Sequence, residues 1–243
     1  MTRQAHALLI AGDDPDHAGT PTAYAQDALS NIETDLRGRF AAPLIASLSR
    51  GATVDAVNVA FGGVRPQPGD LFVVMFAGHG GEASPTRPSQ SWFLTAGQYF
   101  TDADLAARLL ELPAGVDAVV ISDCCYGEGF FRVGRAMFRG RSQGQVEHLL
   151  LRAQSRALPR VLGQRWYSAG RDSPMVCISA ASKNDEVTGA NLPDLAAKTA
   201  EAAVQRQSYS QLNARFASYT PAGGTYHIDA RPGERMADLV LAA

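Results

Sequence analysis

Two kinds of apolar pattern alternate along this chain. Ala7 to Ala11 (ALLIA), Leu71 to Ala77 (LFVVMFA), Val119 to Ile121 and Met175 to Ala180 (MVCISA) are short, unbroken runs, several of them rich in β-branched residues. Such runs suit strands covered on both faces, as in a parallel sheet. Other segments repeat at helical spacing. Thr22 to Leu48 carries Ala25, Leu29, Ile32, Leu36 and Phe40 behind a Thr22 N-cap, and reads as a crossover helix interrupted near Pro43. Thr101 to Asp104 opens a second helix with Leu105, Leu109, Leu110 and Leu112 on one side, and Pro113 ends it. Thr53 to Phe61 (TVDAVNVAF) alternates in the manner of a strand, closed by Gly62, Gly63, Pro66 and Pro68. A polar loop with Pro85 and Pro88 precedes Ser91 to Phe100, which reads as a short hairpin; Leu192 to Phe216 reads as helix and Thr225 to Ala230 as a last strand. Strands interleaved with helices predict an α/β fold, a mostly parallel central sheet flanked by helices on both faces.

The ends of the buried runs carry the chemistry. Gly12-Asp13-Asp14-Pro15 follows the first, Gly78-His79-Gly80-Gly81 the second, Cys124-Cys125 the third, and Ser179, Ser182, Asn184 and Asp185 the fourth. In a parallel sheet these ends share one edge, the edge where open α/β folds bind ligands. His79 precedes Cys125 by 46 residues, and adjacent strands would bring an imidazole to a thiol. A thiolate nucleophile needs a base or an imidazolium beside it, and amide donors for the oxyanion formed when a carbonyl is attacked. The amides of Gly80 and Cys125 are the candidate donors. None of the other histidines, His6, His17, His148 and His227, ends a strong buried run. Cys124 and Cys177 read as small buried hydrophobes.

Composition narrows the alternatives. A chain of 243 residues with 46% hydrophobic content can build one sizeable core. Net charge is -2 and the pI is near 6.2, which gives no global attraction to nucleic acid or an anionic membrane. The first apolar segment is brief, and no run approaches the roughly 20 residues that span a bilayer; a soluble, cytoplasmic protein is expected. Three cysteines, two of them adjacent, form no disulfide framework. No C-x-x-C or second Cys/His pair stands at zinc-ligand spacing, so no metal is expected, and without a dinucleotide fingerprint an oxidoreductase is disfavoured. Arg132 to Arg171 holds nine arginines. This density excludes it from a core and suits a solvated surface or a phosphate-binding patch.

A strand ending in His-Gly, followed about fifty residues later by a strand ending in Asp-x-Cys, resembles the caspase-like cysteine peptidases. The likeness is to metacaspases and bacterial orthocaspases. FAGHGG, TDADLAARLLELP, ISDCCYGEG, MVCISAAS and a late SYSQL occur in that family's order. Carried over residue by residue, the resemblance implies His79 as catalytic histidine, Cys125 as nucleophile and Gly80 as an oxyanion-hole amide. Tyr126, Gly127 and Glu128 depart from the family's His-Ser-Gly after the nucleophile. Asp123 matches the acid two residues before the cysteine, and Gln26-Asp27-Ala28 resembles the Asn-Asp-Ala motif that supplies a second. Two carboxylates, Asp27 and Asp123, imply protein or peptide substrates cut after a basic residue, Arg ahead of Lys.

The same resemblance divides a single peptidase domain, 1–243, into a larger part (1–131), an Arg-rich linker (132–172) open to self-cleavage, and a smaller part (173–243). Some metacaspases hold calcium on clustered aspartates; no such cluster stands here, and no cofactor is expected. With no recruitment domain in the chain, an upstream regulator would act in trans. The rival reading is a catalytically inactive caspase-like scaffold that binds a partner through the arginine stretch.

Overall fold

The computed structural model describes residues 3–14, 17–21, 23–84, 87–113, 115–124, 175–179 and 227–231. Its centre is a six-stranded sheet built from β1 (Ala5–Ala11), β4 (Leu44–Leu48), β5 (Leu71–Ala77), β9 (Asp117–Asp123), β10 (Met175–Ser179) and β11 (His227–Arg231). The spatial order is β11-β10-β9-β5-β1-β4. Every pairing is parallel except that of β10 with β11.

The uninterrupted apolar runs are explained by burial on both faces. Ala5, Ala7, Leu9 and Ala11 of β1, Leu71, Val73, Met75 and Ala77 of β5, and Val119 and Ile121 of β9 pack with Ala25, Ala28, Leu29, Ile32 and Leu36 of α1 (Ala23–Arg39). The alternate residues turn to the other face. There Leu8, Ile10, Phe72, Val74, Phe76 and Val120 meet Val57 and Phe61 of α2 (Val54–Gly63) and Leu105 and Leu109 of α3 (Asp102–Leu110). Helices on both faces of a parallel sheet are the expected architecture. Among the described residues, no helix is long and apolar enough to cross a membrane.

Three local expectations are corrected. Thr53 to Phe61 is helix, because Thr53 Oγ1 caps it by accepting from the Ala56 amide at 3.1 Å, and the buried positions are Val57 and Phe61, one turn apart. Val59, which a strand would bury with them, is 75% exposed. The Thr22 to Leu48 segment is helix only to Arg39; beyond Pro43 the chain becomes β4, pairing His6↔Leu44 through Ile10↔Leu48. As an edge strand β4 is only partly covered, so its sequence lacks the signature of its neighbours. The loop after His79 is instead β6 (Gly80–Ser84), antiparallel to β7 (Arg87–Phe93), which in turn pairs with β8 (Tyr99–Thr101) as the expected hairpin. Asp13–Asp14 (β2) and His17–Pro21 (β3) form a further small ladder. The Arg132 to Arg171 stretch, the Leu192 to Phe216 helix and Thr22 lie outside the described residues.

The amino edge of the sheet is pinned at one carboxylate. Gln67-Pro68-Gly69-Asp70 is a tight turn with Pro at its second position and Gly69 at φ +95 in its third, where a Cβ would be strained. Asp70 then accepts from the amides of Gln4 (3.1 Å) and Gln67 (2.8 Å) and faces His6 Nε2 at 3.3 Å. Burial pushes the Asp70 carboxyl up, but the Gln67 and Gln4 amides and His6 outweigh it and hold the group below its ordinary 3.8. A depressed carboxylate contributes stability above its unfolded pKa and loses it as pH falls through the folded value. Asp70→Ala should therefore cost about 2 kcal/mol at neutral pH, read as a lower denaturant midpoint, with the difference from the parent shrinking below about pH 4.

Candidate active site

The carboxyl edge is set by the pairing of β5 with β9. These strands run in register from Leu71↔Asp117 to Ala77↔Asp123, and the Gly78 amide donates to the Asp123 carbonyl at 3.2 Å. His79 stands two residues beyond Ala77. Cys125 stands two residues beyond Asp123 in the sequence, and lies outside the described residues, as do Tyr126, Gly127 and Glu128. Ser179, at the end of β10, is level with Ser122 on the same edge.

The turn that presents His79 depends on a close backbone crossing. Gly12 donates to the Ala77 carbonyl at 2.8 Å, drawing the end of β1 against the end of β5. A Cβ on Gly78 would fall 2.8 Å from Gly12 Cα and 2.9 Å from the Phe76 ring, and one on Gly12 would fall 2.8 Å from both that ring and the Phe93 carbonyl. Only glycine at both positions allows this approach. Past it, His79 is half-buried and its carbonyl accepts from the Phe93 amide at 2.9 Å. Gly80 faces Trp92 across β6 and β7. Since the flanking residues His79 and Phe93 make the hydrogen bond, Gly80 and Trp92 form a non-hydrogen-bonded pair and the Gly80 N–H points away from β7.

Asp123 is 2% exposed. Strand alternation puts its side chain on the α1 face, opposite to Ser122 and Cys124. Among the described residues its Oδ2 has no hydrogen-bond partner, and burial pushes the carboxyl well above the usual range. Asp27 is exposed, in the second turn of α1. Because β1 and β4 are parallel, the connecting α1 must start at the carboxyl edge. Both acids thus sit on the α1 side of the sheet, Asp123 beneath the surface and Asp27 on it.

On the opposite face, Cys124 is buried at 3% exposure, with its Sγ 3.3 Å from Ser122 Oγ. Ser122 Oγ in turn accepts from Trp92 Nε1 at 2.8 Å. The Trp92 ring is stacked between Phe76 (centroids 4.9 Å apart) and Phe100 (5.7 Å). Cys124 is therefore a core residue, as its sequence position suggests. The Trp92–Ser122 bond carries no motif; only the pairing of an indole with a hydroxyl in otherwise apolar strands hints at it. Among the described residues, no group of three or more His, Cys, Asp and Glu side chains is placed to hold a metal ion.

A family model described as Caspase domain matches residues 26–216. Among solved structures, protein GSU0716 from Geobacter sulfurreducens superposes with a TM-score of 0.60 at 17% identity, covering 97% of each chain. Chaetomium thermophilum Raptor gives a TM-score of 0.44 at 11% identity, over 90% of this chain and 19% of that one. No curated protein sequence matches the chain.

A buried carboxyl whose pKa is raised lowers stability as pH climbs from its unfolded value through its folded one, the reverse of Asp70. Asp123→Asn should accordingly raise the melting temperature at about pH 8 and give no gain near pH 4; a melting series across that range, Asp123→Asn against parent, checks the sign.

Proposed function

This chain belongs to the caspase-domain family, and we propose that it is a cysteine endopeptidase that cuts after a basic residue, Arg ahead of Lys, through Cys125 and His79. The observation that carries the reading is the in-register pairing of β5 with β9, which ends at Ala77 and Asp123, two residues short of the imidazole and of the thiol. Each residue adds at most about 3.8 Å of chain, so neither group is far from that shared end.

In this reading the His79 imidazole takes the Cys125 thiol proton, and the thiolate sulfur attacks the scissile carbonyl carbon. The carbonyl oxygen becomes an oxyanion received by the amides of Gly80 and Cys125. The free direction of the Gly80 N–H supports its part. His79 returns the proton to the departing amine, and water, deprotonated by the same imidazole, releases the acyl group from sulfur.

The specificity reading rests on Asp123. A buried carboxyl with an oxygen left unpaired among the described residues is costly on its own and is relieved by an incoming guanidinium, which can form paired charge-assisted hydrogen bonds. Asp27, exposed on the same side, adds a second negative charge at the rim. The Arg-rich stretch, 132–172, then offers the enzyme its own preferred residue, and self-cleavage there follows as part of the proposal. Protein or peptide substrates are the partners this implies.

Two experiments test it. Cys125→Ala and His79→Ala should each lower turnover of an Arg peptide by more than ~1,000-fold with melting temperature retained. Cys124→Ala, which removes a core thiol, should keep most of the turnover and lose about 1 kcal/mol of stability. A dead Cys124→Ala with a live Cys125→Ala would make Cys124 the nucleophile and overturn the assignment to Cys125. In a peptide-library digest, cuts should fall after Arg, more slowly after Lys and not after Asp, and Asp123→Ala should raise KM for Arg peptides by ~10–100-fold. Cleavage after Asp by the parent would overturn the charge argument.

A further inference from the structure

β7 bonds both to His79 and to the end of β9, the strand that leads into Cys125. Its last residue, Phe93, donates its amide to the His79 carbonyl at 2.9 Å, fixing the turn that carries the imidazole. The residue before it, Trp92, donates its indole N–H to Ser122 Oγ at 2.8 Å, three positions before Cys125 on β9. Trp92 and Ser122 are both fully buried. The indole is clamped between the rings of Phe76 and Phe100, at interplanar angles of 7° and 18°, so its N–H has a set direction. A rigid donor on β7 thus ties down the end of β9 while the neighbouring residue ties down the His79 turn.

Packing alone does not require this bond. The stacking between Phe76 and Phe100 uses the ring faces, and a phenyl ring would fill most of that slot. A buried indole N–H and a buried hydroxyl cost free energy unless they satisfy each other, and two apolar side chains would cost nothing of the kind. What the polar pair adds is direction, since a hydrogen bond fixes the lateral position of one strand end relative to another more sharply than dispersion contacts do.

Resting on the peptidase reading above, we propose that Trp92 and Ser122 are positioning residues that set the separation of His79 and Cys125 through β7. Neither touches the substrate. Their effect belongs to the chemical step, because misplacing a reacting pair by an ångström costs rate without weakening the hold on the peptide.

The test uses the full chain with Trp92→Phe, Ser122→Ala and the double variant, assayed on an Arg peptide below all of their melting temperatures. Alkylation of Cys125 by iodoacetamide is followed by mass spectrometry as a function of pH. Each single variant should lose about 10-fold in kcat with KM within about two-fold, and the double variant should lose no more than the worse single, since the Trp92–Ser122 bond is absent from all three. The pH profile of alkylation should shift up in all three, reflecting a weaker thiolate–imidazolium pair, and Ser122→Thr should recover kcat by restoring the hydroxyl. Variants that melt earlier yet keep the parent's kcat and alkylation profile would reduce the pair to a structural role and overturn the inference, leaving the peptidase reading intact. A parent chain that neither cleaves Arg peptides nor changes its Cys125 alkylation profile on His79→Ala would overturn the peptidase reading itself, and this inference with it.

Discussion

The parallel register of β5 and β9 is the constraint on which the candidate site depends. Seven consecutive residue pairs, Leu71↔Asp117 to Ala77↔Asp123, bring two segments 46 residues apart in the chain to a common edge. A slip of one residue would send every side chain of β9 to the opposite face. Asp123 would then face α2 and α3, and Ser122 and Cys124 would face α1. The register is held because both faces are apolar and filled, with Val119 and Ile121 fitting against α1 and Val120 against the aromatic cluster on the other side.

The two edges of the sheet spend their polar groups differently. At the amino edge Asp70 gathers two amides and His6, and Arg3 meets Asp117 at 2.6 Å. At the carboxyl edge Asp123 is buried with an oxygen left open among the described residues, and the Gly12–Gly78 crossing leaves no room for a side chain. Strained or unsatisfied groups concentrate where ligands bind, and the surrounding structure has to hold them there.

Much of the fold is legible in the order of residues. Runs such as LFVVMFA have no polar position to offer solvent, which forces a sheet buried on both sides and hence helices on both faces. The boundaries that sequence misjudges share one cause. Val54 to Gly63 is rich in β-branched residues but buries only the helical pair Val57 and Phe61, while β4 is a real strand whose outer position leaves Leu44 57% exposed. In each case the burial a residue finally receives, which depends on distant neighbours, outweighed its local propensity.

By itself the sequence determined the chemistry available at each strand end: an imidazole between glycines, a thiol after a buried run, and an acid two residues before it. It determined these because strand composition and turn residues are local properties. Tertiary structure alone decided that Asp123 is buried, with an oxygen left open among the described residues, while Asp27 is exposed, and that Trp92 ties β7 to β9. Those facts follow from which strands lie side by side and in what register, and register is a property of the whole sheet.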